Sequence, residues 1–487
     1  MELYNLTIHE THELLKNREV SVIDVVKSVF DRIDNVEDKI GSYITLCRKE
    51  AIKKAEHIQS EYMKRGSTTP LSGIPMCLKD IMCTKGVKTT CASKMLENFV
   101  PPYDSTVSSK LSDAGAILIG KTNMDEFAMG SSTEKSYYKK THNPWDIERV
   151  PGGSSGGSAS AVAAGEAFFS LGSDTGGSIR QPSSFCGIVG MKPTYGTVSR
   201  YGVVSIASSL DHIGPMTKDV TDAALVLNAI AGHDGFDATS ANVKHPDFTK
   251  SLINDVKRLK IGVPKEYMGN GIDIQVRQAI YGALETLRAE GAEYEEISLP
   301  MSEYAIPSYY IICGCEASSN LAKFDGIRYG YCAKEYSDID ELYKNSRSEG
   351  FGSEVKRRIM LGTYVLGENY YEKYYVKSMK IRTLIKREFE NALEKYDVIV
   401  TPVSPTTAFK FGEKSKSDIQ MYMEDLCTVS ANIAGVPAIT VPCGFDDEGL
   451  PIGLQIIGKA FDESTLIRTA YTFEQNTEFH NARAQIK

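Results

Sequence analysis

Two short segments concentrate glycine and serine beyond what a connecting loop needs. One reads Pro151-Gly152-Gly153-Ser154-Ser155-Gly156-Gly157-Ser158, and the other Asp174-Thr175-Gly176-Gly177-Ser178. Glycines at this density let the backbone take positive φ and turn successive N–H groups toward one point. Such a cradle suits a bound anion, or an oxyanion that forms in a transition state. Apolar residues flank both loops closely (Ala159 to Ala164, Phe168 to Leu171), which marks packed loops rather than flexible linkers.

A serine in such a loop can act as a nucleophile if a base lies within hydrogen-bond reach. Gly152-Gly153-Ser154-Ser155-Gly156 fits the G-x-S-x-G elbow, which calls for a Ser–His–Asp triad. Of the eight histidines, His9, His12 and His57 fall in N-terminal helical segments and His480 lies near the C-terminus. His142, His212, His233 and His245 carry no local triad signature. Lys79 is another base. It closes the apolar run Ile74-Pro75-Met76-Cys77-Leu78, where desolvation favours the neutral amine. A lysine at a strand end is ordinarily solvated, so Lys79 gains its interest from the serine loops.

Gly115-Ala116-Ile117-Leu118-Ile119-Gly120-Lys121-Thr122 fits the phosphate-loop pattern letter for letter. Its middle residues, Ala-Ile-Leu-Ile, should instead form a buried strand whose amides are committed to a sheet. Nucleotide binding there is not expected.

The elements that must hold these groups read as alternating strands and helices. Thr7 with Glu10 resembles a capping box, and Ser21 opens a run with Val22, Val26, Val29 and Ile33 at helical spacing. Ile74 to Leu78, Ala116 to Ile119, Leu259 to Val263, Val398 to Val400, Ile439 to Val441 and Leu454 to Ile457 read as short strands. Bounded by glycine, proline or charge, they suggest buried strands covered by helices on both sides. Thr122 with Asp125-Glu126 reads as a helix start. Residues 296–380, rich in tyrosine and charge, have helical periodicity and suit a helical cap over the sheet.

At 487 residues the chain can bury a large core, and with no repeat or long linker one compact α/β unit is expected. A net charge of −8 and the absence of a basic stripe disfavour a nucleic-acid-binding surface. Lys139-Lys140 and Lys356-Arg357-Arg358 read as solvated faces or local anion sites. The ten cysteines have apolar neighbours and no secretory segment before them, so buried, reduced thiols in a cytoplasmic protein are expected. Cys313-Gly314-Cys315 has no second pair at zinc-ligand spacing, and no apolar run reaches membrane-spanning length.

Taken together, Lys79, the Gly152 to Ser158 loop and Asp174-Thr175-Gly176-Gly177-Ser178-Ile179-Arg180 resemble the amidase signature family. The resemblance implies an α/β amidase signature fold: a large mixed central β-sheet sandwiched between α-helical layers, with a helical cap region. It implies a single domain over 1–487, with N-terminal helices at 1–65, a signature core at 66–295, the mostly helical cap at 296–380 and the rest of the core at 381–487. It also implies a Ser–cis-Ser–Lys triad that cleaves carboxamides. Ser178 would be the nucleophile, Ser154 (in a cis peptide) the proton relay and Lys79 the base. The backbone amides of Thr175, Gly176 and Gly177, running on to Ser178, would form the oxyanion hole.

Within that family, three further runs are similar to the A subunits of bacterial aspartyl/glutamyl-tRNA amidotransferases. They are Pro307 to Ile312, Glu316 to Ala322 with Phe324 to Gly326, and Gly350 to Gly362. Cys313-Gly314-Cys315 departs from that pattern but touches no proposed catalytic residue. The similarity implies hydrolysis of glutamine through an acyl-enzyme, with no metal or cofactor in this chain. Arg358 would clamp the α-carboxylate, Asp425 would take the α-ammonium, Tyr309 would add a hydrogen bond and Ser131 would contact the substrate. The ammonia would pass to a B subunit that uses ATP and magnesium to amidate Glu-tRNA(Gln) or Asp-tRNA(Asn). A small C subunit would hold the heterotrimer together, and misacylated tRNA would be met mainly by the B subunit. The alternative is a stand-alone amidase acting on other carboxamides.

Overall fold

The computed structural model describes residues 2–65, 69–414 and 418–486. Thr7 with Glu10 and Ser21 with Asp24 form reciprocal capping boxes that open α1 (Ile8–Lys16) and α2 (Val22–Ile40). The stripe Val22, Val26, Val29 and Ile33 is buried, and α3 (Arg48–Arg65) packs on α2.

Eleven strands form one sheet. They are β1 (Tyr43–Leu46), β2 (Pro75–Lys79), β3 (Ile117–Thr122), β4 (Phe169–Asp174), β5 (Val189–Lys192), β6 (His212–Thr217), β7 (Lys260–Pro264), β8 (Glu293–Ile297), β9 (Val398–Pro402), β10 (Ala438–Phe445) and β11 (Pro451–Gly458). The spatial order is β1-β3-β2-β4-β6-β5-β10-β11-β9-β7-β8. The sheet is mixed: β2 runs parallel to β3 and β4, whereas β6 is antiparallel to both β4 and β5. Every residue of β2, β4, β5, β6, β9 and β11 is buried. Successive side chains on a strand face opposite ways, so both faces of the sheet are covered.

Helices α4 (Thr106–Asp113), α5 (Gly156–Ala163), α6 (Arg180–Cys186), α7 (Val220–Ile230) and α8 (Ile274–Ala289) alternate with the strands. Between β8 and β9 lie α9 (Ala305–Asn320), α10 (Ile339–Gly350), α11 (Ser353–Val365) and α12 (Lys377–Lys395), with no strand of the sheet among them. Near the C-terminus come α13 (Asp418–Met423), α14 (Val429–Ala434) and α15 (Glu463–Gln475). Helix α9 packs against α11, α12 and α14, which ties the helical stretch to the C-terminal part of the chain.

The phosphate-loop look-alike is indeed a strand. Residues 117–122 are β3, paired to β1 and β2, and Lys121 points into the interior. Its ammonium donates to the Met82 carbonyl (2.6 Å) and the Thr89 hydroxyl (2.8 Å), 3.6 Å from Asp80. The expected helix after Thr122 does not form. Only a 3-10 turn, Glu126–Ala128, appears, and Phe127 within it takes φ +48°. All ten cysteines are unbridged, and Cys332 alone is exposed rather than buried. Among the described residues no helix is long and apolar enough to cross a membrane.

Candidate active site

Three strand or loop ends converge on Lys79. It is the last residue of β2 and is fully buried. Its Nζ donates to the hydroxyls of Ser154 (2.7 Å), Ser173 (2.8 Å) and Ser155 (2.9 Å), and reaches the Ser173 carbonyl at 3.4 Å. Burial drives its pKa down to about 7, against partial opposition from Asp125, Asp174 and Asp211. The expectation of a desolvated lysine thus meets an amine poised between its two protonation states near neutrality.

Ser154 and Ser155 lie in the loop that feeds α5, and the Gly153–Ser154 peptide is cis, as the family resemblance implied. Ser178 lies in the loop that feeds α6. The two loops touch through the Ser155 N–H, which donates to the Ser178 carbonyl (3.2 Å). Ser154 is fully buried, whereas Ser178 is 9% exposed, so Ser178 is the one of the two nearer to solvent.

Asp174 organises the second loop. Its carboxylate accepts the Gly177 N–H (2.8 Å) and the Ile179 N–H (3.2 Å) and is gripped on two edges by Arg180 (both 3.0 Å). Burial alone would raise its pKa, but the Arg180 guanidinium more than offsets this and holds it well below the usual carboxylate range. Of the three amides expected to face an oxyanion, that of Gly177 is therefore already directed at a carboxylate. Gly176 is constrained differently: a Cβ there would sit 2.5 Å from Cζ of Tyr309, so only glycine lets that ring close on the loop. The Thr428 hydroxyl donates to the Gly176 carbonyl (2.6 Å), and Thr175 donates to Asp211 (2.7 Å).

Thr428 leads to the other expected residues. Asp425 is buried and accepts from the Ser131 hydroxyl (2.9 Å) and the Tyr310 hydroxyl (2.7 Å). Burial pushes its pKa up to about 6, with the Tyr310 and Ser131 hydrogen bonds and Arg358 acting against the rise. Arg358 is buried on α11. It lies over the Tyr310 ring at 4.9 Å, and its Nε donates to Glu354 (2.9 Å). Its Nη1 faces Cys313 Sγ at 3.7 Å, so the Cys313-Gly314-Cys315 departure sits against Arg358. The Tyr310 and Tyr422 rings stack with centroids 3.8 Å apart. The cavity bounded by Ser131, Lys135, Tyr310, Glu354, Arg358 and Tyr422 measures about 20 Å³. That is room for about one water.

Ser131, Arg358 and Asp425 thus meet at one place and Lys79 and Ser154 at another; the Ser178 loop reaches the second through its backbone contact with Ser155, and Tyr309 lies against Gly176 of that loop. Sequence reasoning missed Ser155 and Ser173 around the amine, and Tyr310, Glu354 and Thr428. Glu354 could have been read from its i,i+4 spacing to Arg358. Tyr310 could not have been separated from Tyr309 without knowing which face of α9 is turned inward.

A family model described as Amidase matches residues 24–467. The chain belongs to the amidase family. It is 58% identical over 486 residues to the A subunit of the glutamyl-tRNA(Gln) amidotransferase of Desulforamulus reducens, covering all of both chains. It is equally similar, 58% over 485 residues, to the protein of the same name from Thermoanaerobacter pseudethanolicus, covering 100% of this chain and 99% of that one. The crystal structure of the glutamyl-tRNA(Gln) amidotransferase A subunit from Thermotoga maritima superposes with a TM-score of 0.83 at 41% identity, covering 100% of this chain and 99% of that one. A peptide amidase from Stenotrophomonas maltophilia superposes with the same TM-score, 0.83, at 29% identity, over 99% and 98% of the two chains. The large mixed sheet with its helical layers is therefore the amidase fold.

Proposed function

We propose that this amidase-family chain is the glutamine-hydrolysing A subunit of a multi-subunit, tRNA-dependent amidotransferase. The observation that carries the chemistry is the fully buried Lys79 amine, 2.7 Å from Ser154 and surrounded by hydroxyls. As a neutral amine Lys79 takes the Ser154 proton, and Ser154 takes that of Ser178. Ser178 Oγ attacks the carboxamide carbon of glutamine, and the amides of Thr175 and Gly176, running on to that of Ser178, receive the oxyanion, while the Gly177 amide stays on the Asp174 carboxylate and holds the loop. Collapse breaks the C–N bond and returns a proton through Ser154 to the leaving nitrogen, releasing ammonia and leaving a glutamyl ester on Ser178. Water, deprotonated by the same relay, then displaces Ser178 and releases glutamate.

At the other end of the substrate Arg358 meets the α-carboxylate and Asp425, with Ser131, the α-ammonium. Tyr309 lies against Gly176. Full-length identity to proteins named for Glu-tRNA(Gln) amidation supports passage of the ammonia to a B subunit. There ATP and magnesium would activate misacylated tRNA, while a C subunit would brace the cytoplasmic heterotrimer.

Ser178→Ala in the assembled enzyme tests this reading. Glutamine-driven amidation should vanish while amidation from added ammonium salt persists at the wild-type rate. Loss of both would move the essential role of Ser178 away from glutamine hydrolysis. Rapid hydrolysis of simple amides with indifference to glutamine would favour a stand-alone amidase.

A further inference from the structure

Glu126 is a buried carboxylate that the hydrolysis above does not use, yet it sits at the joint between the two halves of the amino-acid end of the site. The turn that contains it is held from both sides. On one side Asp125 accepts the N–H groups of Thr133 (2.9 Å), Lys135 (3.1 Å) and Ser132 (3.3 Å), which fixes the loop carrying Ser131. On the other side Glu126 accepts the Ser93 hydroxyl through one oxygen and the Gly352 N–H (2.9 Å) through the other.

Gly352 is the N-cap of α11, the helix that bears Glu354 and Arg358. In a capping box a glutamate three residues into the helix reaches back to the N-cap N–H. That position here is Val355, which has no acceptor, so Glu126 supplies from outside what the helix lacks within. A Cβ at 352 would collide with the same Glu126 oxygen, which makes glycine the residue that permits the approach. Phe127 completes the joint, its ring centroid 5.5 Å from Phe324 and 5.7 Å from Phe351.

We propose that Glu126 is a positioning residue for glutamine recognition: by capping α11 it sets the separation between the Arg358 guanidinium and the Ser131–Asp425 pair. This rests on the reading that Arg358 and Asp425 hold the two ends of glutamine. The partners of Glu126 are Ser93 and Gly352 rather than Lys79, Ser154 or Ser178, so its loss acts on binding of the amino acid rather than on acyl transfer.

The test uses the assembled amidotransferase at about pH 8, where the Glu126 carboxyl, pushed up to about 7 by burial, is ionised. Glu126→Gln preserves shape but presents an NH2 where one of two donors needs an acceptor. The KM for glutamine should rise about tenfold with kcat within about twofold, and ammonia-driven amidation should be unchanged. Ser93→Ala leaves Glu126 in place, removes one of its partners, and should raise KM in the same direction by a smaller factor. In an Arg358→Lys background, Glu126→Gln should add little, because the clamp it positions is already weakened.

If wild-type enzyme amidates with ammonia but not glutamine, the reading of the site fails. If wild-type uses glutamine and neither Glu126→Gln nor Ser93→Ala moves KM, or if kcat falls with KM constant, the role of Glu126 is wrong. Should Glu126→Gln not fold, Ser93→Ala decides by the same criterion.

Discussion

An ammonium ion stripped of water and surrounded mainly by serine hydroxyls holds its proton weakly, and Lys79 is in that position. Its pKa near 7 and that of Asp425 near 6 predict a two-part acid limb for glutamine hydrolysis. A lysine base works only when deprotonated, so kcat should fall roughly tenfold per pH unit below about 7. Asp425 attracts an ammonium only when ionised, so KM should climb below about 6. Steady-state profiles of both constants separate the two groups, and a kcat that stays flat from about pH 8 down to about pH 5.5 would remove Lys79 as the base. At this scale the sequence was informative about residue types and poor about partners. Lys79 and the serine loops could be singled out from composition and spacing. That Ser155 and Ser173 also grip the amine depends on β2 and β4 being neighbours, which no local pattern announces.

Among the elements, β3 shows how a motif can match in letters and differ in physics. Lys121 has the position of a phosphate-binding lysine and the surroundings of a structural one. It is fully buried, is satisfied by Met82 and Thr89, and lies close to Asp80. Lys121→Ala should therefore destabilise the fold by about 3–5 kcal/mol, because it leaves the Asp80 charge buried without its partner. Chemical denaturation should show this loss, and ATP should not stabilise the wild-type chain against heat. A melting temperature that rises with ATP would overturn this assignment.

Strands with β-branched runs, such as β7, β9 and β10, were legible. β6, reading His212-Ile213-Gly214-Pro215-Met216-Thr217, was not, because its glycine and proline mask a strand that its neighbours hold in place. Asp125 and Glu126 looked like the acidic first turn of a helix. In the fold both carboxylates are drawn to amides elsewhere in the chain, and the helix they would have started does not form.

For the whole molecule, the proposed function makes this chain one part of an assembly, and the cavity beside Arg358 is narrow, at about 20 Å³. Chain copies purified alone should hydrolyse glutamine slowly. Co-expression with B and C subunits, followed by addition of ATP and Glu-tRNA, should raise the rate at least several-fold, read as glutamate released. Equal rates with and without partners would mean that the site is not controlled by assembly.

The residues with chemical capacity, the capping boxes, the buried strands and the family resemblance were all present in the sequence, because each depends on neighbours a few positions away or on a quoted motif. Tertiary structure alone decided that Lys79 is dehydrated, that Tyr310 as well as Ser131 holds Asp425, and that Glu126 caps a helix more than two hundred residues further along. The reason is physical. Desolvation and hydrogen-bond partnership across a packed interior are properties of a place in the fold, and a place exists only once distant segments have closed around it.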